Sequence, residues 1–259
     1  MLRALDSIIN YRLEASDGEF GRCKDFLFDD EKWVTRYIVV DTGKWLPSRK
    51  VLISPISVTE PDWENQHLPV KLSRVQIENS PPLAEHEPVS RKFERLYFDH
   101  FAWPYYWVGD HFWGTQPYPL FTPVPMPEDA VRMKEEKEEI EETHLRSYKA
   151  VKGYHIEATD GAIGHVEDFI LDDDIWGFRY MVVDTRKWLP GGKVLISLGW
   201  IESVDWLEKA VKVDLNVEMV KNSPEYDPSE PINREYETVL YDYYGRPQYW
   251  QDEDPYPLP

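Results

Sequence analysis

Cysteine is almost missing from this chain of 259 residues, and Cys23 stands alone. A single thiol excludes an intrachain disulfide and any metal knuckle built from cysteine pairs. Cys23 therefore reads as a small apolar residue in a strand-like context. Long apolar runs are missing too. The longest resemble Met181-Val182-Val183, far short of the ~18 residues of a membrane helix, so no membrane insertion is expected. The opening residues lack the apolar core of a secretory signal, which gives a cytoplasmic expectation. Positive charge is scarce: 29 Lys and Arg stand against 48 Asp and Glu, a formal charge of −19. Such a surface repels phosphate backbones and anionic lipid, so no nucleic-acid partner is expected. Chemistry-bearing motifs are absent as well. The seven histidines form no His-Glu-x-x-His and no pair at metal-binding spacing. His155 and His165 alone are placed to face each other across a hairpin. There is no nucleophile elbow, Walker loop or dinucleotide fingerprint. Neither an enzyme nor a cofactor is expected.

What the chain does have is a repeat. Asp17 to Ser54 returns as Asp160 to Ser197, 143 positions later and without a gap, with 23 of 38 residues identical. The same offset relates Asn79-Ser80-Pro81 to Asn222-Ser223-Pro224, and Tyr106-Trp107 to Tyr249-Trp250. A period this long is a duplicated domain, since solenoid repeats run from about 20 to 50 residues. The expected division is residues 1–107 as a first unit, 108–144 as a Pro-rich arm and charged linker helix, 145–250 as a second unit, and 251–259 as a C-terminal arm.

Within each copy, Asp17-Gly18 and Asp160-Gly161 mark a hairpin. Gly21 and Gly164 suggest a bulge or a close backbone approach. Arg36 to Val40 and Arg179 to Val183 are β-branched and aromatic, and so are the central strands. Lys50 to Ser54 and Lys193 to Ser197 follow them. Weaker strands surround Val58 to Trp63 and Val70 to Leu72, with counterparts at Ile201 to Trp206 and Val211 to Leu215. Short strands at close spacing predict a mainly β fold (α+β overall), with two small antiparallel β-barrels in tandem. Helices follow each barrel. Ser73 to Gln76 fits a capping box, and Asn216 is the equivalent cap. Longer helices cover Ser90 to Phe101 and Asn233 to Tyr244, with Gly245 at C′. Phe93, Leu96 and Tyr97, and in the copy Tyr236, Val239 and Leu240, form an apolar stripe on each. Prolines between 117 and 127 favour an extended path, and Glu128 to Thr143 reads as a charged helix.

The repeated pattern (Asp-Gly-x-x-Gly, an acidic strand end, Trp, Arg-Tyr-x-Val-Val-Asp, Leu-Ile-Ser) resembles the PRC-barrel family. That β-barrel is shared by the photosynthetic reaction-centre H subunit and a ribosome-maturation factor, and the full unit is similar to stand-alone bacterial members. The resemblance implies docking and assembly of other proteins rather than catalysis. The H subunit also shapes a proton route to a quinone, which supplies an alternative: ligand binding or proton handling in a pocket between the barrels.

Candidate sites follow from these patterns. Asp172, Asp173 and Asp174, like Asp29 to Glu31, offer carboxylates to a hard cation. They lack the alternation of a calcium loop, and consecutive strand residues point to opposite faces, so a solvated turn is expected. Asp41 and Asp184 are candidate buried acids near tryptophans, although Asp-Thr at a strand end is ordinary turn chemistry. Among eleven tryptophans, Trp45, Trp188, Trp103, Trp107 and Trp250 are candidate interface residues. The arms are expected to pack on their own barrels or across a homodimer, with a foreign protein partner the next reading.

Overall fold

A computed structural model describes residues 1–121, 144–185 and 192–251. The linker-helix expectation at Glu128 to Thr143, the prolines at 123–127, Trp188 and the C-terminal arm beyond Gln251 lie outside the described residues. The chain forms two compact units. The first is Ile8–Ser147, and the second joins Met1–Ser7 to the residues from Tyr148 onward.

The chain begins with β1 (Leu2–Ala4), which belongs to the second unit. In the first unit β2 (Arg12–Ala15) turns into the long β3 (Gly18–Asp29). Ala15 pairs with Gly18, so the turn residues are Ser16 and Asp17, one position earlier than the Asp-Gly signal suggests. Asp17 is released for another task, and its carboxylate accepts the Arg74 N–H at the start of the helix Arg74–Glu78. Gly21 sits where β3 crosses β4 (Val34–Asp41), and a Cβ there would lie 2.6 Å from the Asp41 carbonyl oxygen. The close approach expected of this glycine is therefore real. β4 is almost wholly buried and also pairs with β5 (Val51–Ile53). The strand expected at Val58 to Trp63 is reduced to isolated bridges, Val58 to Val70 and Asp62 to His67, beside a short β6 (His67–Pro69). Pro61 and Pro69 cannot donate to a ladder, which explains the loss. β6 runs parallel to β2, and β7 (Leu145–Ser147) pairs with the second half of β3. Two register shifts bend β3 so that it serves both partners.

The second unit repeats this plan with β8 (His155–Ala158), β9 (Gly161–Asp172), β10 (Gly177–Asp184) and β11 (Lys193–Ser197). His155 and His165 do face each other, as an opposed pair across β8 and β9. Without the two prolines, β12 (Ile201–Asp205) and β13 (Ala210–Val213) form a full hairpin whose second strand runs parallel to β8. β1 lies along the end of β9, with Leu2 opposite Asp172. The two units have thus exchanged strands. Leu2-Arg3-Ala4 and Leu145-Arg146-Ser147 occupy the same repeat position, yet each completes the sheet of the other copy. The fold is mainly β, with mixed sheets whose described ladders form open paths.

Helices cover each sheet. Arg91–Phe101 is capped by Ser90 and ends on Ala102 at φ 53°; Arg234–Tyr244 is capped by Asn233 and ends on Gly245 at φ 62°. The buried face differs from the expected stripe. Leu96 and Val239 are exposed, while Phe93, Tyr97 and Phe98, and Leu240, Tyr241 and Tyr244, are buried. A carboxylate shares that face in both copies: Glu94 and Glu237 are each 3% exposed. Among the described residues, no helix is long and apolar enough to cross a membrane.

Candidate functional site

The buried Glu94 leads to a polar cluster at the heart of the first unit. Tyr37 on β4 and Tyr106 in the arm both donate to Glu94 Oε1, at 3.0 and 2.7 Å, and Arg91 donates to Oε2 at 2.8 Å. Burial raises the Glu94 carboxyl above its usual range despite these donors. Next to it, Arg36 on β4 is fully buried and donates to Asp29 at 2.9 Å. Burial alone would raise Asp29, but the Arg36 charge and several hydrogen bonds outweigh it and hold the carboxyl below its ordinary value. The Arg36 guanidinium stacks on Tyr106 at 3.9 Å and faces Trp113 at 5.0 Å. Its Nη1 donates to the Phe112 carbonyl at 2.6 Å. A peptide segment thus seats on a buried arginine through one carbonyl and one indole.

The second unit carries the same set 143 positions on. Tyr180 and Tyr249 donate to Glu237 at 2.7 and 2.9 Å, and Arg234 pairs with it at 3.0 Å. Arg179 donates to Asp172 at 3.2 Å and stacks on Tyr249 at 4.4 Å. Arg234 lies 4.2 Å over Trp250. Here burial outweighs Arg179, and the Asp172 carboxyl is raised. Beside this cluster is a cavity of about 200 Å³, lined among others by Leu2, Asp172, Arg179, Glu237, Tyr249 and Trp250.

A second buried acid belongs to the exchanged segment. Asp168 on β9 accepts N–H groups from Phe169 at 2.8 Å and from Asp6 at 3.2 Å. The Tyr148 hydroxyl lies 2.6 Å from Asp168 and 2.8 Å from the Asp6 carboxylate, which Lys152 also contacts. One hydroxyl proton cannot serve both contacts, so the arrangement calls for a proton on a carboxyl group. Burial and the nearby Asp6 charge push Asp168 up to about 6 against hydrogen bonds that lower it.

The sequence candidates fall differently. Asp41 is exposed and accepts the Gly43 N–H at 2.9 Å, so the buried-acid expectation is corrected there and turn chemistry holds. Asp184 is half-buried at the end of β10. The carboxylates of Asp172, Asp173 and Asp174 come within 4.8 Å of one another, because Asp172 ends a strand and the next two residues turn. Nearby cations already engage them: Arg179 holds Asp172, and Arg3 and the Met1 amino group hold Asp173. Trp103 and Trp107, two of the interface candidates, are buried at 5% and 9% exposure, both against Phe98 of the helix Arg91–Phe101. Trp45 is half-buried against Phe20 and under Arg74, and Trp250 is half-exposed at the cavity. Sequence reasoning passed over Arg36, Glu94 and their copies, because charged residues on a strand or helix read as its wet face. The signal was in the repeat. In the two long helices, Arg91/Arg234 and Glu94/Glu237 are identical while the apolar positions around them drift. Compared with known proteins, the sequence matches no family model and no curated protein.

Proposed function

We propose that this chain is a non-enzymatic protein-binding module, an assembly scaffold built from two PRC-type barrel units. One observation carries the reading: the most elaborate polar cluster of the first unit is used to seat a peptide segment. Arg36, Asp29 and Glu94 are engaged in holding one another and the Phe112-Trp113 turn. The resemblance of the core repeat to PRC barrels points the same way. The test is binding by the intact protein of a purified partner, first captured from lysate and then titrated against wild type and against Trp45→Ala and Trp250→Ala. Saturable binding weakened by either variant is expected. Co-purification of a small molecule instead of a protein would overturn it.

A second reading, proton handling, is favoured by Asp168 and its Tyr148–Asp6 bridge. That reading requires Asp168 to exchange protons with solvent near neutral pH. A side-chain carboxyl resonance that shows no titration between pH 4 and 8 would exclude it.

A further inference from the structure

The Asp168 cluster ties together segments that are far apart in the sequence and belong to one unit. Asp6 follows β1 in the segment Met1–Ser7, Tyr148 opens the short helix Tyr148–Val151, and Asp168 sits on β9, 7% exposed. The Tyr148 hydroxyl oxygen is 2.6 Å from Asp168 Oδ1 and 2.8 Å from Asp6 Oδ1, and Lys152 contacts the other Asp6 oxygen. Burial and the two carboxylates push the Tyr148 hydroxyl far above its ordinary value, so it keeps its proton. The lysine cation favours negative charge on Asp6. The extra proton that the two short contacts require therefore resides on Asp168, and the donors run one way, from Asp168 to Tyr148 and from Tyr148 to Asp6. Without that proton Tyr148 must donate to Asp168. Asp6 then loses its buried donor and faces a second negative charge. A contact that ionisation strengthens, the Asp6 N–H at 3.2 and 3.3 Å from the Asp168 oxygens, is outweighed. After burial, the Asp6 charge opposes ionisation of Asp168, by more than that N–H favours it. The repeat is broken at this point. Leu5 occupies the position of Tyr148, and the equivalent acid, Asp25, takes a hydroxyl proton from Ser147 at 2.6 Å.

We propose that Asp168, Tyr148 and Asp6 form a proton-operated latch on the N-terminal segment. Protonation of Asp168 fastens Asp6, and with it β1, to β9. Loss of the proton turns the Tyr148 hydroxyl back to Asp168, loosens the segment and bares the β9 edge from Ile170 to Asp172. The docked segment supplies the Asp6 charge that helps to raise Asp168, so the docked state binds the proton more tightly. Docking is therefore strongest below 3.8 and weakens as pH rises through about 6. Tyr226 also senses the Asp168 charge, but burial pushes its hydroxyl up to about 12, outside this range. Arg3 and the Met1 amino group hold Asp173 from the same segment and stay cationic up to neutral pH. Asp172, opposite Leu2, is a second raised carboxyl on this edge, and variants of the latch separate its contribution. The inference goes beyond the protein-binding reading. It shares the titration of Asp168 with proton handling but needs no proton path.

The test is amide hydrogen exchange on the intact protein, with protection factors for Leu2 to Asp6 followed from pH 4.5 to 7.5 beside the carbon-13 shift of the Asp168 carboxyl. Protection should fall by about fivefold or more, with the midpoint of the Asp168 titration. Asp168→Asn should make it independent of pH. Because that buried variant risks misfolding, Asp6→Asn at an exposed position keeps the test decisive: it removes the opposing charge and should at least halve the fall. Wild-type protection that does not change with pH overturns the latch. So does a fall of wild-type size in Asp6→Asn or in a folded Asp168→Asn. Titration of Asp168 with no change in the segment overturns the latch and leaves the proton-handling reading standing, whereas absence of titration overturns both.

Discussion

At the scale of single residues, buried charge sets the most sensitive positions. Asp29→Asn leaves the Arg36 cation without its counter-charge in a site that excludes water. The expected cost is about 3–5 kcal/mol, read by chemical denaturation. Asp172→Asn should cost less, since burial already raises that carboxyl. Asp168 is predicted to act through pH. Its carboxyl titrates near 6 in the fold against 3.8 when free, so the folded protein binds that proton more tightly. Its stabilisation is full below the free value and is lost as pH rises through 6. The rise from 3.8 to about 6 corresponds to on the order of 3 kcal/mol. Asp168→Asn should therefore flatten the stability profile between pH 4 and 7 relative to wild type. A profile that keeps the wild-type slope would remove Asp168 as its source. In the sequence Asp29 and Asp172 read only as turn carboxylates open to a cation, and Arg36 and Asp168 carried no signal, since a lone Asp or Arg in a β-rich run is indistinguishable from one facing water. Burial is a property of the partner surface, and Tyr37, Glu94 and Tyr106 meet only after the chain has folded.

At the scale of elements the sequence was far more informative. Caps, turns and periodicity act within a few residues, so Ser73, Ser90, Asn216 and Asn233 were readable as helix starts and the strands around Arg36 and Arg179 were plain. Local signals failed where a rule was overridden. Pro61 and Pro69 suppress in the first copy a hairpin that the second copy makes in full. The pairing of β1 was beyond reach, because Leu-Arg-Ala and Leu-Arg-Ser are interchangeable as strands. Similarity within a repeat says which positions correspond and nothing about which copy they join. Deletion of Met1 to Ala4 tests the observed pairing. It should expose the Ile170–Asp172 edge to fast amide exchange while the β2–β3 ladder stays protected. Loss of protection in the first unit instead would contradict the exchange.

At the scale of the whole molecule, the exchange ties the copies together through their chain ends. A protease site placed within residues 122–143 and then cut should leave both fragments co-eluting in gel filtration, with β1 still seated on β9 and β7 on β3. Fragments that separate without denaturant would contradict this. The same connectivity bears on how the protein comes to be folded. Leu2 is made some 170 positions before Asp172, its partner across the ladder. Closing so long a loop carries an entropic cost that no local contact offsets, and such non-local pairing slows folding. During synthesis β1 must therefore wait, unpaired and available to other chains, until β9 has left the ribosome.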